Sequence, residues 1–181
     1  MPMFKRGCVV LLLISASACG GSTPTSPSSA APRNVNMTFN GLTANGTPVA
    51  LYRESGFSVS TNLGSWVALT TYGNPAPFIQ FVAPAGSTVI GQIQVFADLH
   101  AAFSFTSVDL YSSVTPIPYT ITGRRGVAVV FTLADTLPNT FGNFRTVVNP
   151  HGTDVIDTLT ISLSNSGSNP MGLDNIVLQS S

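Results

Sequence analysis

Reactive side chains are scarce in this chain: seven carboxylates, two histidines and two cysteines among 181 residues. His100 and His151 stand outside any HExxH pattern, and no Gly-x-Ser-x-Gly elbow is present. The usual scaffolds for metal-assisted hydrolysis and for a serine nucleophile are therefore missing. Glycoside hydrolysis needs two carboxyl groups roughly 5–10 Å apart across a cleft. Glu54, Asp98, Asp109, Asp135, Asp154, Asp157 and Asp174 are the acids at hand, and their sequence spacing selects no pair. Sugar binding without cleavage asks for less: an aromatic face against the sugar ring and a few polar partners. Trp66 and Tyr72 are the candidates for that face, with Tyr52 and Tyr111 as further rings and the loop Gly73-Asn74-Pro75-Ala76-Pro77 as a rim. Trp66 opens an alternating run, where the same ring also suits a core position.

The cysteines carry a different chemistry. Lys5 and Arg6 precede an apolar stretch from Val9 to Ile14 and then the small residues Ser15, Ala16, Ser17 and Ala18, which is the form of a signal peptide. The apolar run falls far short of the roughly 20 residues that cross a bilayer. Ala16-Ser17-Ala18-Cys19 resembles the bacterial lipobox, with Ala16 standing where that pattern usually has leucine. The resemblance implies cleavage before Cys19 and acylation of its thiol, so that palmitate-type chains tie the protein to a membrane. An unpaired thiol in an exported chain is an oxidation hazard, and acylation removes it. Gly20 follows the cysteine in place of aspartate, which fits release to the outer membrane. The expected location is thus the cell envelope of a Gram-negative-type bacterium, with the membrane as partner and a glycan or an envelope protein as further partners.

With Cys8 discarded and Cys19 acylated, no thiol remains for a disulfide or a thiolate metal site. Removing Lys5 and Arg6 leaves five arginines, no lysine and seven carboxylates, a net charge of −2. Nucleic acid is excluded as a partner, because phosphate neutralisation needs clustered cations and Arg124-Arg125 is the single basic pair. Residues 20–34 read GGSTPTSPSSAAPRN, without a large apolar side chain to bury, which predicts a disordered tether. The organisation expected is a signal peptide over 1–18, lipidated Cys19 and linker over 19–34, and one domain over 35–181.

The elements that must position any site are strands. Thr, Ser, Val and Phe alternate in short runs broken by Gly, Pro and Asn. Twelve strands are predicted, near Val35–Phe39, Val49–Tyr52, Gly56–Ser60, Trp66–Tyr72, Phe78–Val82, Val89–Ala97, Phe103–Tyr111, Pro118–Thr122, Val127–Leu133, Phe144–Val148, Asp157–Leu163 and Asp174–Leu178. That count points to an all-β antiparallel sandwich. Arg124 and Arg125 fall at the tip of a hairpin, and Leu159, Ile161 and Leu163 share one face of their strand.

Four segments, in order, give a resemblance: Phe39-Asn40-Gly41-Leu42, Tyr52-Arg53-Glu54-Ser55-Gly56-Phe57, Phe103 through Leu110, and Gly172-Leu173-Asp174-Asn175-Ile176-Val177-Leu178. Together they resemble bacterial extracellular jelly-roll modules of the galactose-binding and carbohydrate-binding kind. The resemblance implies a structural calcium near the meeting of the first and last strands, with Glu54 and Asp174 as ligands and Asn40 where related sequences carry an acid. Calcium takes six to eight oxygens, which carboxylate, amide and backbone carbonyls supply. The function expected is a non-catalytic surface module of structural or interaction role. A glycan-binding module is the alternative, and a small extracytoplasmic hydrolase the third reading.

Overall fold

The computed structural model describes residues 31–71, 76–84, 88–166 and 169–180. The signal peptide, Cys19, nearly all of the linker, and Tyr72 lie outside the described residues. The chain forms β1 (Arg33–Met37), β2 (Leu51–Glu54), β3 (Phe57–Leu63), β4 (Trp66–Leu69), β5 (Phe78–Val82) and β6 (Thr88–Ala97). A one-turn 3₁₀ segment (Asp98–His100) follows, then β7 (Phe103–Ser112), β8 (Ile117–Arg125), β9 (Ala128–Leu137), β10 (Phe144–Val148), β11 (Thr158–Ser166) and β12 (Pro170–Ser180).

Two antiparallel sheets face each other. One runs β10-β7-β12-β5-β4, with β1 on the free half of the β12 edge; the other runs β2-β3-β6-β11-β8-β9. The chain changes sheet at every connection except β2–β3, β4–β5 and β8–β9. This repeated crossing is the interlocked sandwich expected from the sequence. Each of the twelve predicted strands has its counterpart. The first begins two residues early, because Arg33 and Asn34 pair with Ser180 and Gln179 within the stretch expected to be tether.

Alternation decides the faces. Leu159, Ile161 and Leu163 of β11 point inward with Ile93 and Val95 of β6, all at 0% exposure. The middle of the opposite side of the same sheet is a row of uncharged, mostly hydroxylated side chains: Ser60, Gln94, Thr160, Thr122 and Thr132 lie directly opposite one another across β3, β6, β11, β8 and β9. Trp66 faces inward at 2% exposure, its ring 5.5 Å from that of Phe81 and its indole N–H donated to the Leu63 carbonyl at 2.9 Å. A tryptophan packed so on both counts is core, and its faces are closed to a sugar ring.

Candidate functional site

The four segments that carried the resemblance meet in pairs. Phe39 adopts a positive φ of 56°, strained for a bulky residue, and Glu54 holds that turn from β2. One oxygen of its carboxylate accepts the Thr38 and Phe39 backbone N–H groups at 2.8 and 3.0 Å, and the other accepts the Thr38 hydroxyl at 2.9 Å. Tyr52 takes the Gly41 N–H on its hydroxyl oxygen and lays its ring 5.1 Å from that of Phe39. Glu54→Gln takes the charge out of these bonds and turns round the one with the Thr38 hydroxyl, which then accepts from the amide. A loss of about 1–3 kcal/mol is expected, read as a fall of several degrees in thermal midpoint.

The second pair joins β7 to β12. Asp174 lies directly opposite Asp109, and beside it the ladder slips at Asn175, whose φ is 48°. Asn175 donates its side-chain amide to Asp109 at 3.0 Å and accepts that of Asn36 at 3.1 Å. Asp174 itself is 1% exposed, and its Oδ1 has no hydrogen-bond partner. Burial pushes its carboxyl up to about 7; the Asn175 backbone N–H draws it back a little, and the charges of Asp109 and Glu54 push it further. Asp109 and Glu54 thus both act on Asp174, and none of the three is in an ion pair, His151–Asp154 being the single ion pair among the described residues. A buried carboxylate oxygen without a partner is the kind of group a cation would satisfy, although among the described residues no three acidic, histidine or cysteine side chains gather as a ligand set. Asp174 would hold it and Glu54 border it. Asn40 is exposed and makes no hydrogen bond to either.

A separate cleft lies at one end of the hydroxylated sheet. Arg53 pairs with Ser58 across β2 and β3, and Ser58 with Phe96 across β3 and β6, so the three form a lateral row on the outer face. Beyond Phe96 the strand ends in Asp98-Leu99-His100, where Leu99 and His100 take successive positive φ values of 60° and 55°. Two adjacent non-glycine residues in the left-handed region mark a strained turn. The turn is held by the Asp98 N–H, donated to the Gly56 carbonyl at 2.8 Å, and by the Ser58 hydroxyl, donated to Asp98 at 3.3 Å. It folds the His100 ring over Phe96, with centroids 6.3 Å apart and planes 23° from parallel. The result is an open cleft of about 510 Å³ bounded by Arg53, Ser58, Phe96, Asp98, Leu99 and His100. It combines the half-buried Phe96 ring with the exposed His100 ring over it, a guanidinium, a hydroxyl and one carboxylate.

No protein-family model matches the chain, and no curated protein matches it. Solved structures do. A family 29 carbohydrate-binding module from Piromyces equi superposes with a TM-score of 0.51 at 11% identity, over 83% of this chain and 92% of the module. The fold is shared with carbohydrate-binding modules. An arabinose-bound family 51 α-L-arabinofuranosidase matches with a TM-score of 0.50 at 12% identity, over 79% of this chain and 26% of that enzyme. A family 61 module in complex with β-1,4-galactotriose follows at 0.48 and 12% identity, over 70% of this chain and 90% of the module.

The sequence reading missed the Arg53–Phe96 cleft. Its signal lay in β6, where Gln92, Gln94 and Phe96 alternate with Ile93, Val95 and Ala97 and so put Phe96 on the wet face. The partner Arg53 comes from a strand some forty residues away, and only the register of β3 brings the two together.

Proposed function

We propose that this chain is a membrane-anchored module that binds neutral glycans without cleaving them, tied through Cys19 and gripping its ligand in the Arg53–Phe96 cleft. The observation that carries the reading is the row Arg53-Ser58-Phe96 closed by the Asp98–His100 turn. An aromatic face beside donors and acceptors of both charge signs suits a polyhydroxylated, uncharged ligand. One carboxylate, Asp98, lines the cleft, where glycosidic hydrolysis uses two. A lipid anchor supports the same role, since a binding module fixed at the envelope holds its ligand there. Structural calcium at Asp174 completes the proposal, bracing β12 against β7.

Electrophoresis of the protein through gels containing neutral polysaccharides, followed by a glycan array, tests the cleft. Wild type is expected to be retarded by at least one polymer. Phe96→Ala is expected to weaken that binding about tenfold, the loss of a stacking contact of roughly 1–1.5 kcal/mol, and Arg53→Ala to weaken it as well. Retardation that both variants retain would move the site elsewhere. Absence of any glycan ligand would leave an interaction module whose partner is an envelope protein.

A further inference from the structure

The strand register gathers a set of basic groups at one end of the sandwich. Arg33, where the chain enters the fold, pairs with Ser180; Ser180 pairs with Phe103; Phe103 bridges Ile156; and the Asp157 N–H is donated to the Arg124 carbonyl at 2.8 Å. The 98–100 turn belongs to the same end, through the Asp98 N–H donated to Gly56. Four of the five arginines outside the signal segment, Arg33, Arg53, Arg124 and Arg125, are therefore neighbours of the point of entry, and all four are exposed. None is in an ion pair among the described residues.

The acids at this end are engaged otherwise. Glu54 holds the Thr38–Phe39 turn, Asp98 takes the Ser58 hydroxyl, Asp157 takes the Gly126 N–H and the Thr158 hydroxyl, and Asp154 faces His151 at 3.6 Å. Between the arginines stand the two most exposed large hydrophobic side chains of the described residues, Leu99 at 98% and Val127 at 96%. Leu99 is held out by the strained turn and Val127 by the two-residue turn of the β8–β9 hairpin, which Gly126 enters at φ 57°. Phe141 and Val114 are also exposed, at the other end of the molecule, but the cations and the chain entry are here.

We propose that this end of the sandwich docks on a phospholipid bilayer with anionic headgroups, the arginines meeting phosphate and Leu99 and Val127 entering the interface. The proposal rests on the lipid-anchor reading. At no more than about 3.6 Å per residue, the fourteen residues from Cys19 to Pro32 limit the distance between a lipidated Cys19 and the basic end to about 50 Å. Apolar tips flanked by guanidinium groups bind such interfaces by burial and by attraction to anionic lipid together. The Arg53–Phe96 cleft, sharing Leu99, then opens at headgroup level.

The test uses the full lipidated protein in vesicles of phosphatidylcholine with phosphatidylglycerol. Ala128→Cys carries a fluorophore beside Val127, and Thr136→Cys, eight residues along β9 and about 27 Å away, serves as the distant control. Brominated lipid is expected to quench the label at 128 and spare that at 136. Raised salt, or Arg124→Glu with Arg125→Glu, is expected to lower the docked-to-undocked ratio at least about tenfold. A protein that floats with vesicles while both labels stay unquenched overturns the docking and leaves the anchor standing. A protein that fails to float overturns both. Quenching at 128 that survives salt and charge reversal overturns the role given to the arginines.

Discussion

Asp174→Asn is expected to make the metal-free protein more stable at neutral pH than the wild type. The folded chain holds this carboxyl at about 7, against about 3.8 for an unburied aspartate. Between those values the folded state binds the proton more tightly than the unfolded state, so wild-type stability falls as pH rises from about 4 to about 7. Above that range Asp174 is ionised in both states and the loss is complete, amounting at most to about 4 kcal/mol. Asparagine is neutral throughout. In chelator, the difference in unfolding free energy between variant and wild type is expected near zero at pH 4 and to grow toward pH 8. Taking the difference cancels the carboxylates remote from Asp174 and leaves only Asp109 and Glu54, which are coupled to it. Calcium reverses the sign, since a cation binds the ionised form: its addition at pH 8 is expected to raise the wild-type midpoint and leave the variant unmoved. A flat difference profile would show that the buried oxygen finds a proton-independent partner, and an equal calcium response in both proteins would remove Asp174 from the site.

The second large effect concerns a ring that two glycines make room for. A Cβ added at Gly91 would lie 2.4 Å from the Phe81 ring, and one added at Gly64 would lie 2.6 Å from it, so the ring crosses from one sheet onto bare backbone of the other. Gly91→Ala is expected to cost about 1–3 kcal/mol or more through overpacking. Phe81→Ala, which empties a fully buried site, is expected to cost about 3–5 kcal/mol. The double variant should be less destabilised than the sum, because removing the ring removes the clash. Denaturant titration of the four proteins measures the coupling. Strict additivity would mean that the ring moves aside freely and that the two glycines serve some other purpose.

Strand identity was legible wherever one face is buried and the other wet. Phe78–Val82 and Phe144–Val148 have the predicted limits to the residue, because Pro77 and Asn143 punctuate their starts. β8, β9 and β12 run longer than predicted, since hairpin pairing carries a strand past the point where alternation ends: Arg124 and Arg125 still pair with Val129 and Ala128. Which acids would lie together was legible only in part. Glu54 and Asp174 do act on each other, but Asp109 joins them through the β7–β12 register, which no local pattern encodes. Trp66 shows the limit of composition as a guide. A lone tryptophan suggests a binding platform, and the inward parity of β4 decides otherwise. Phe96, an unremarked phenylalanine among eleven, is the ring that parity turns outward.

Only 8% of the residues are charged, and the middle of the outer face, from Ser60 through Gln94, Thr160 and Thr122 to Thr132, carries none. Its side chains are spaced by the interstrand distance of about 4.8 Å and fixed by the ladders beneath them. Such a face meets water through hydroxyl groups rather than through ions, so dissolved salt has little on it to screen. The same domain therefore presents one stretch of surface whose wetting is indifferent to salinity and one basic end whose charges salt screens, so that a change of ionic strength tunes the second while leaving the first as it was.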